Sequence, residues 1–472
     1  YLDGKFIRYY VRRIAKYYTD SGKKTDFEEL DVLAKKCLEQ VGQEALKRSM
    51  KYSQRLVKYS KTHKPEEIAV KVRHHSSRQR FVSLIAHPKK IKRYLYRKVF
   101  LKRPIKKNRV MLECFFGRNY SDSPKYIFEY LAKNYGDKYE FVWNVAGGKK
   151  IKYPYKSKVV TRFSLRYYYY LATSNYFVFN VRQPNWFVKR KGMKFLETWH
   201  GTPLKRLAFD QEEVASASIT YKKNTYLASR DWDYLVAPNK FSSDIFRSCF
   251  MFDNHMLETG YPRNDILYTK GEERDRLVEE IKAEFNLPRD KKVILYAPTW
   301  RDDEFYGIGQ YKFTLALDLD RMQKEFGDEY VILFRTHYYV VDAVDLEPYK
   351  GFVYNAVKYN DIARLYLISD LLITDYSSVF FDFANLRRPM IFFMYDLEKY
   401  RGTLRGFYFD AEEEVPGPIV QTNDQLVEAI KNAEKLSQTY GEKYDAFYQK
   451  YCGWEDGTST EKVVKEVFLT DK

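Results

Sequence analysis

The sequence predicts an α/β protein in which two doubly wound parallel-sheet domains face each other across a cleft, preceded by a basic helical region. After residue 109, short apolar runs alternate with helical stretches, which is typical of parallel strands joined by crossover helices. The length of 472 residues exceeds that of one ordinary hydrophobic core, so we expect two or three folded units. The basic charge is confined to the first of these units.

This charge distribution is uneven along the chain. The formal net charge is +19, yet residues 1–109 contain 31 Lys and Arg against 10 Asp and Glu, and the remainder is close to neutral. Residues 68–109 contain no acidic side chain at all. The basic charge therefore belongs to one module and is not spread over the whole surface.

Residues 1–108 read as basic amphipathic helices. Apolar side chains recur at helical spacing in residues 7–18, and a capping box at Thr25 predicts the start of a second helix. We expect a helix break at Pro88, beyond which Ile91, Leu95 and Val99 form an apolar stripe. No stretch has the roughly 18–20 apolar residues of a membrane span, so a soluble or peripheral protein is expected.

Other global features narrow the class of protein. The four cysteines are too scattered for a disulfide framework or a C-x-x-C metal pair. The chain starts at Tyr1 without the apolar core of a signal peptide, and we expect it to be a piece of a longer protein.

The candidate strands form two series. The first comprises residues 110–116, 141–145, 176–180, 195–198, 234–237 and 256–259, and the second comprises residues 293–297, 331–335, 371–374 and 390–393. Helices are predicted at residues 361–369 and 378–386, and the polar stretch 270–286 is the expected boundary. The predicted regions are residues 1–108, 109–268 and 269–472.

The loops after the predicted strands are the candidate sites, because doubly wound domains bind ligands outside the carboxyl ends of their strands. In the first domain, His200 follows a strand and precedes Gly201, Thr202 and Lys205. A lone His is more often structural, but a strand end beside Gly is a suitable setting for a general base.

Two cation-bearing loops follow strands of the second domain. Thr299 and Arg301 follow one strand, and Arg335 and His337 follow the next. An Arg at such a position can hold phosphate oxygens with a bidentate fork, although a salt bridge to a neighbouring acid is the common alternative.

A fourth loop carries Asp375, Ser377 and Ser378 between a buried strand and a helix, with Asp382 about one turn later. Serine at a helix start usually only caps the helix. Two serines at the carboxyl end of a strand also favour an anion, because free backbone N–H groups and the helix dipole point at it.

These loops belong to a set of motifs that resembles the CDP-glycerol:poly(glycerophosphate) glycerophosphotransferases, a family that includes teichoic-acid primases and polymerases. The match covers roughly residues 109–464 in the family's order. The motifs are W-H-G-T-P-L-K at 199–205, G-Y-P-R-N-D at 260–265, Y-A-P-T-W-R at 296–301, R-T-H at 335–337, T-D-Y-S-S-V-F-F-D at 374–382, and D-G at 456–457.

The resemblance implies a GT-B architecture with an acceptor domain at 109–268 and a CDP-alditol donor domain at 269–472. The implied enzyme, a transferase, moves glycerol phosphate or ribitol phosphate from a CDP-alditol to a hydroxyl of a lipid-linked teichoic-acid or capsule-type polymer and releases CMP. No cofactor and no metal are expected, since no D-x-D signature follows a predicted strand.

The resemblance also implies roles for the candidate residues. His200 would be the base, and His337 with Arg335 would bind the diphosphate and offset the charge of the leaving group. Ser377 and Ser378 would complete this diphosphate-binding site, and Asp382 would orient the alditol hydroxyls. The other residues expected to bind substrate are Gly201, Thr202, Lys205, Arg263, Thr299, Arg301 and Asp375.

A lipid-linked acceptor gives residues 1–108 a function. The inner leaflet of a bacterial membrane is anionic, and each Lys or Arg held near such a surface gains roughly 1 kcal/mol. The sequence thus predicts a peripheral enzyme at the cytoplasmic face of the membrane, with no nucleic-acid partner. The alternative is a helical spacer that packs on the neighbouring domain or pairs with a second subunit of a homo-oligomer.

Two other functions stay open. A nucleotide-sugar glycosyltransferase of GT-B architecture would release a nucleoside diphosphate instead of CMP, and a non-catalytic basic adaptor for anionic polymer would not need His200. The sequence does not distinguish a glycerol donor from a ribitol donor, or a primase that adds one unit from a polymerase that adds many. It also leaves open the acceptor, the oligomeric state and the residues that precede Tyr1.

Overall fold

A computed structural model of the chain describes residues 88–147, 151–211, 220–299, 305–307, 310–311, 315–336, 344–398 and 406–470. The helices predicted within residues 1–87 lie outside the described residues. Helix α1, Pro88–Lys98, begins at the proline where a break is predicted, because proline is tolerated in the first turn of a helix. Ile91 and Leu95 lie within α1, whereas Val99 follows its end.

The first sheet contains the six strands predicted for the first series and one more. In chain order they are β1 Lys106–Glu113, β2 Glu140–Val145, β3 Lys158–Thr161, β4 Ser174–Phe179, β5 Lys194–Glu197, β6 Tyr234–Ala237 and β7 His255–Glu258. All pair in parallel in the order β3-β2-β1-β4-β5-β6-β7. Strand β3 is not predicted, because only one of its four residues is buried and its pattern resembles a loop.

Crossover helices connect these strands. They are α2 Asp122–Tyr135, α3 Leu165–Thr173, α4 Tyr221–Ser229 and α5 Lys240–Cys249. Short 3-10 helices lie at Phe100–Lys102, Phe115–Gly117, Ala208–Asp210 and Pro262–Tyr268.

The second sheet is also parallel throughout. Its strands are β8 Lys292–Ala297, β11 Tyr330–Phe334, β12 Val353–Asn355, β13 Leu371–Thr374, β14 Met390–Phe393 and β15 Ile419–Val420, and a separate hairpin consists of β9 Phe305–Gly307 and β10 Gln310–Tyr311. The order in the sheet is β12-β11-β8-β13-β14-β15. Two doubly wound parallel sheets confirm the predicted fold class.

The helices after β7 cover this second sheet, except the last, which packs on the first sheet. They are α6 Gly271–Phe285, α7 Leu319–Phe326, α8 Ile362–Ile368, α9 Val379–Phe383, α10 Ala411–Glu414, α11 Asn423–Lys431, α12 Ala433–Thr439, α13 Gly441–Cys452 and α14 Ser459–Phe468, with 3-10 helices at Glu347–Tyr349 and Ala384–Leu386. The predicted helix 378–386 is therefore α-helical over only five residues before it tightens into a 3-10 turn. A dipole from so short a helix is weak, so a seat for an anion there depends on individual N–H and hydroxyl groups.

The last helix returns to the first sheet. The apolar face of α14, with Val463, Val464, Val467 and Phe468, lies in the same hydrophobic core as strands β1, β2 and β4. The ring of Phe468 stacks on Tyr176 at a centroid distance of 4.7 Å. The end of the region predicted as residues 269–472 thus completes the core of the first domain.

Each sheet has a switch point where the strand order reverses, between β1 and β4 in the first and between β8 and β13 in the second. Loops diverge to opposite faces of a sheet at such a point and leave a crevice at the carboxyl ends of the strands. The two crevices face one cleft, because residues that follow β1, β5, β8 and β13 all line it.

A buried ion network joins the two domains beside this cleft. Arg263, which follows β7, donates from Nε to Asp382 Oδ2 at 3.2 Å and from Nη2 to both Asp382 oxygens at 3.0 Å. Its Nη1 donates to Asp122 Oδ1 of α2 at 3.0 Å. All three side chains are less than a tenth exposed. Removing any one of them would therefore leave a buried charge without its partner, which is strongly destabilising.

We predict that Arg263→Ala lowers the free energy of unfolding by about 3–5 kcal/mol, because two buried carboxylates lose their cation. The matched control is Arg387→Ala, which removes an exposed pair with Asp445 and should cost no more than about 1 kcal/mol. Urea unfolding followed by circular dichroism measures both changes. Equal losses for the two variants would show that the network does not hold the domains together.

Candidate active site

The cleft between the two sheets has a cavity volume of about 420 Å³. Its walls contain most of the residues singled out from the sequence, from both domains. These are His200, Gly201, Thr202, Lys205, Arg263, Thr299, Arg335, Ser377, Ser378 and Asp382. Arg301 and His337 lie outside the described residues, and their predicted roles stay predictions.

His200 projects into the cleft from the loop after β5. Its Nδ1 lies 2.7 Å from the backbone carbonyl oxygen of Asn180. Because a carbonyl can only accept a hydrogen bond, Nδ1 carries the proton, and Nε2 of the neutral ring retains a lone pair. The imidazole is accessible from the cleft, yet the surrounding protein desolvates it and lowers its pKa, so it is neutral near pH 7.

The backbone before His200 is strained in a way that aims the ring. Trp199 has a φ of 52°, in the left-handed region that costs energy for a bulky residue. Its N–H donates to the buried Glu197 carboxylate at 3.2 Å, and its indole stacks on the imidazole with centroids 4.4 Å apart. Phe115 contacts the same imidazole edge-on at 5.8 Å. Contacts on several sides therefore hold the ring in one orientation.

Gly201 brings this loop against the second domain. A Cβ atom at this position would lie 2.9 Å from Ser378 Oγ, closer than carbon and oxygen can approach without displacement. The backbone beside the imidazole and the serine loop of the second domain thus touch at the floor of the cleft.

Further along, the same loop pairs with a segment of the second domain. Arg206 N donates to Gly406 O at 2.9 Å and Tyr408 N donates to Leu204 O at 3.1 Å, with Lys205 opposite Phe407 between them. This ladder fixes Lys205 at the rim of the cleft, and Thr202 is buried in the wall nearby.

On the second domain, Asp375 joins the loops at the switch point. Its Oδ1 accepts from Thr299 N at 2.8 Å and from Tyr376 N at 2.7 Å. Asp375 is buried and does not line the cleft, although the sequence predicts a substrate contact for it. Its carboxylate ties the loop after β8 to the loop after β13, where half-buried Ser377 and Ser378 face the cleft.

Arg335 lies at the end of β11. Its Nη1 donates to the carbonyl oxygens of Ala356, at 2.9 Å, and Val357. Desolvation lowers the pKa of its guanidinium from the ordinary value, which indicates a position largely removed from water. A cation in such a place interacts strongly with an anion that enters the cleft.

Two predicted substrate contacts have a different partner in the structure. Arg263 and Asp382 line the cleft but bind each other, and Asp382 Oδ1 also accepts from Asn264 Nδ2 at 3.0 Å. With its charge divided between two carboxylates, Arg263 shapes the wall of the cleft.

The sequence does not predict a role at this site for Asn180, Asp122 or Asp361. Asn180 holds the imidazole of His200, Asp122 holds Arg263, and Asp361 lines the cleft while accepting from Lys125 Nζ at 2.7 Å. The signal was available for Asn180 and Asp122, because Asn180 ends the predicted strand 176–180 and Asp122 follows the predicted strand 110–116.

Metal and membrane signals are both missing from the described part of the chain. No cluster of three or more His, Cys, Asp and Glu side chains there is arranged to hold a metal ion. Within the same residues, no helix has the length and apolar character needed to cross a bilayer.

Comparison with known proteins identifies the family. Residues 95–469 match the family described as CDP-Glycerol:Poly(glycerophosphate) glycerophosphotransferase. The chain is 45% identical over 407 residues to a teichoic acid poly(glycerol phosphate) polymerase of Bacillus subtilis (strain 168), which covers 84% of this chain and 54% of that protein. The chain thus spans about half the length of that curated relative.

A shorter relative and a solved structure match over nearly their whole length. A teichoic acid poly(glycerol phosphate) polymerase of Bacillus spizizenii is 44% identical over 364 residues, which is 76% of this chain and 91% of that protein. The structure of the wall teichoic acid polymerase TagF has 42% identity and a TM-score of 0.78, and covers 84% of this chain and 98% of that chain. Because the family match extends over well more than half of its length, the chain belongs to the CDP-Glycerol:Poly(glycerophosphate) glycerophosphotransferase family.

Proposed function

We propose that the chain transfers an alditol phosphate from a CDP-alditol to a terminal hydroxyl of a lipid-linked teichoic-acid or capsule-type polymer and releases CMP. One observation carries this proposal: a neutral imidazole from the first domain faces, in a single cleft, the cation and hydroxyl groups of the second. Family membership and the names of the polymerase relatives support it, and those names favour glycerol phosphate as the transferred group.

In the proposed reaction, Nε2 of His200 takes the proton of the acceptor hydroxyl. The oxygen attacks the phosphorus on the alditol side of the diphosphate, a new P–O bond forms, and the bond from this phosphorus to the bridging oxygen breaks. The electron pair of that bond leaves with CMP, and the polymer gains one phosphodiester. A base that stays neutral near pH 7 is suited to the first step.

The second domain would bind the donor. Arg335 is close enough to the cleft to offset negative charge on the diphosphate, and the resemblance assigns His337 the same task. Ser377 and Ser378 offer hydroxyl and backbone N–H groups to the phosphate oxygens. Lys205, fixed at the rim by the interdomain ladder, would attract the anionic acceptor.

The basic region before the first sheet would place the enzyme on its lipid-linked acceptor. Helix α1 carries basic side chains throughout and has no acidic residue in its first turn, which fits a negatively charged membrane surface. We therefore propose peripheral attachment at the cytoplasmic face of a bacterial cell membrane. Self-association through this region stays a prediction.

Replacing the proposed base should separate chemistry from binding. We expect His200→Ala to lower kcat at least about a hundredfold, the contribution of a positioned base, while donor affinity changes little. The matched control is His255→Ala. His255 lies on β7, its side chain is more than half exposed, and it contacts Glu466 of α14. Steady-state release of CMP measures kcat, and calorimetry with CDP-glycerol measures donor affinity. Near-normal turnover in a folded His200→Ala protein would remove the residue from the mechanism.

If the second domain binds the diphosphate of the donor, the effect of a substitution there on ligand affinity should depend on whether the ligand carries phosphate. Arg335→Ala should weaken the binding of CDP-glycerol and of CDP by about 1.5–3 kcal/mol, because a charge-assisted contact is lost in a desolvated position. The binding of cytidine, which has no phosphate, should weaken much less. Ser378→Ala should have a smaller effect of the same kind. Arg289→Ala, at an exposed position on the same domain, serves as control.

Calorimetric titration of the three ligands measures these differences. Equal losses for cytidine and CDP-glycerol would assign Arg335 and Ser378 to the nucleoside pocket or to the fold.

Membrane attachment should depend on the basic face of α1. Replacing the exposed Arg93, Arg97 and Lys98 by Gln should weaken binding to vesicles of anionic lipid by about 3 kcal/mol, roughly a hundredfold, at about 1 kcal/mol for each charge. The control neutralises Lys282, Lys291 and Lys431 on the second domain. Vesicle sedimentation in low and high salt measures the binding, and equal losses in both triple variants would contradict attachment through this region.

A further inference from the structure

Asn180 connects the candidate base to two other elements of the first domain. It lies fully buried at the end of β4, at the switch point of the first sheet. Its backbone oxygen accepts from His200 Nδ1 at 2.7 Å. Its side-chain Oδ1 accepts from Phe115 N at 2.9 Å, and its Nδ2 donates to Asp122 Oδ2 at 2.7 Å. Both ends of the amide are therefore fixed.

Both carboxylate oxygens of Asp122 also accept hydrogen bonds. It begins α2 with a φ of 58°, a left-handed conformation that is unfavourable for a residue with a Cβ atom. Its Oδ1 accepts from Ser123 N at 2.7 Å and from Arg263 Nη1 at 3.0 Å, while Oδ2 accepts from Asn180. These contacts compensate for the strained backbone and leave a carboxylate next to the residue that holds the base.

Three charged side chains influence the imidazole of His200. Asp122 at the start of α2 favours the imidazolium form, whereas Arg263 after β7 and Arg182 after β4 disfavour it. Desolvation lowers the pKa of His200 most, and the carbonyl of Asn180 and the charge of Asp122 oppose it. The carboxylate thus opposes part of the lowering of this pKa that desolvation causes.

We propose that Asn180 and Asp122 are positioning residues for His200. Asn180 fixes the tautomer and the direction of the imidazole through its carbonyl. Asp122 fixes Asn180 and stabilises the imidazolium that forms when the acceptor hydroxyl gives its proton to Nε2. The inference rests on the proposed role of His200 as the base, and the proton returns to solvent after CMP has left.

Asp122→Asn tests the charge with little change in shape. The new amide faces the amide of Asn180 with an N–H group, so one donor loses its acceptor and the imidazolium loses its nearby anion. The pKa of His200 is expected to fall further, since removing a negative charge destabilises the charged form. The acid limb of the kcat profile should then move to lower pH, and kcat on its plateau should fall about tenfold or more.

A swap of the two residues provides the matched rescue. In the double variant Asp122→Asn with Asn180→Asp, the carboxylate at position 180 accepts from Phe115 N and from the amide at position 122. The oxygen of that amide accepts from Ser123 N and Arg263. Every hydrogen bond is restored with the charge one residue closer to the imidazole. Asn180→Asp alone instead sets two buried carboxylates against each other and should impair the enzyme.

The measurement is an NMR titration of the whole chain labelled at histidine, with the His200 signal assigned by its loss in His200→Ala. We expect the pKa of His200 to fall in Asp122→Asn and to recover in the swap, and kcat to follow it while KM for the donor stays nearly constant. A lower kcat without any movement of this pKa, or a swap that stays as impaired as both single variants, would overturn the proposal.

The titration reports the linkage whether or not His200 is the base. Turnover that survives His200→Ala would therefore overturn the proposed function alone. The swap keeps the number of charges and hydrogen bonds of the original pair, so a folded protein is expected even where a single substitution prevents folding.

Discussion

The contact of Arg263 with Asp122 and Asp382 is the constraint on which the geometry of the cleft depends. Burying a guanidinium and two carboxylates is costly unless every charge has a well-placed partner. Here the carboxylates come from helices of two different domains, with the bidentate contact to Asp382 of α9 and a single contact to Asp122 of α2. The free energy of these three paired charges therefore favours one placement of the two domains relative to each other.

That placement explains the division of chemistry across the cleft. The first domain supplies a neutral imidazole, and the second supplies a desolvated cation and hydroxyl groups. Gly201 allows the two loops to touch at Ser378, which keeps the proposed base near the proposed diphosphate seat. Reacting groups held at fixed separation lose little further entropy on the way to the transition state.

The sequence predicts the sheets well because buried parallel strands are apolar on both faces and stand out as short uninterrupted runs. It also predicts the cleft, since loops that follow parallel strands converge at one edge, and His200 and Ser378 are found there. It does not predict that Arg263 and Asp382, 119 residues apart, bind each other, because two charged residues in separate loops carry no sign of their pairing. Helix α14 is similar, since an amphipathic pattern shows that a face is buried but not which sheet buries it.

The central claim is that the phosphorus on the alditol side of the donor is the centre attacked. Donor labelled with ³²P in the phosphate next to the alditol, offered with a lipid-linked acceptor, tests this claim most directly. The account predicts that the label enters the polymer as a phosphodiester and that unlabelled CMP is released, one for each unit added. Release of labelled CDP would contradict the account, because it would show transfer of the alditol without its phosphate.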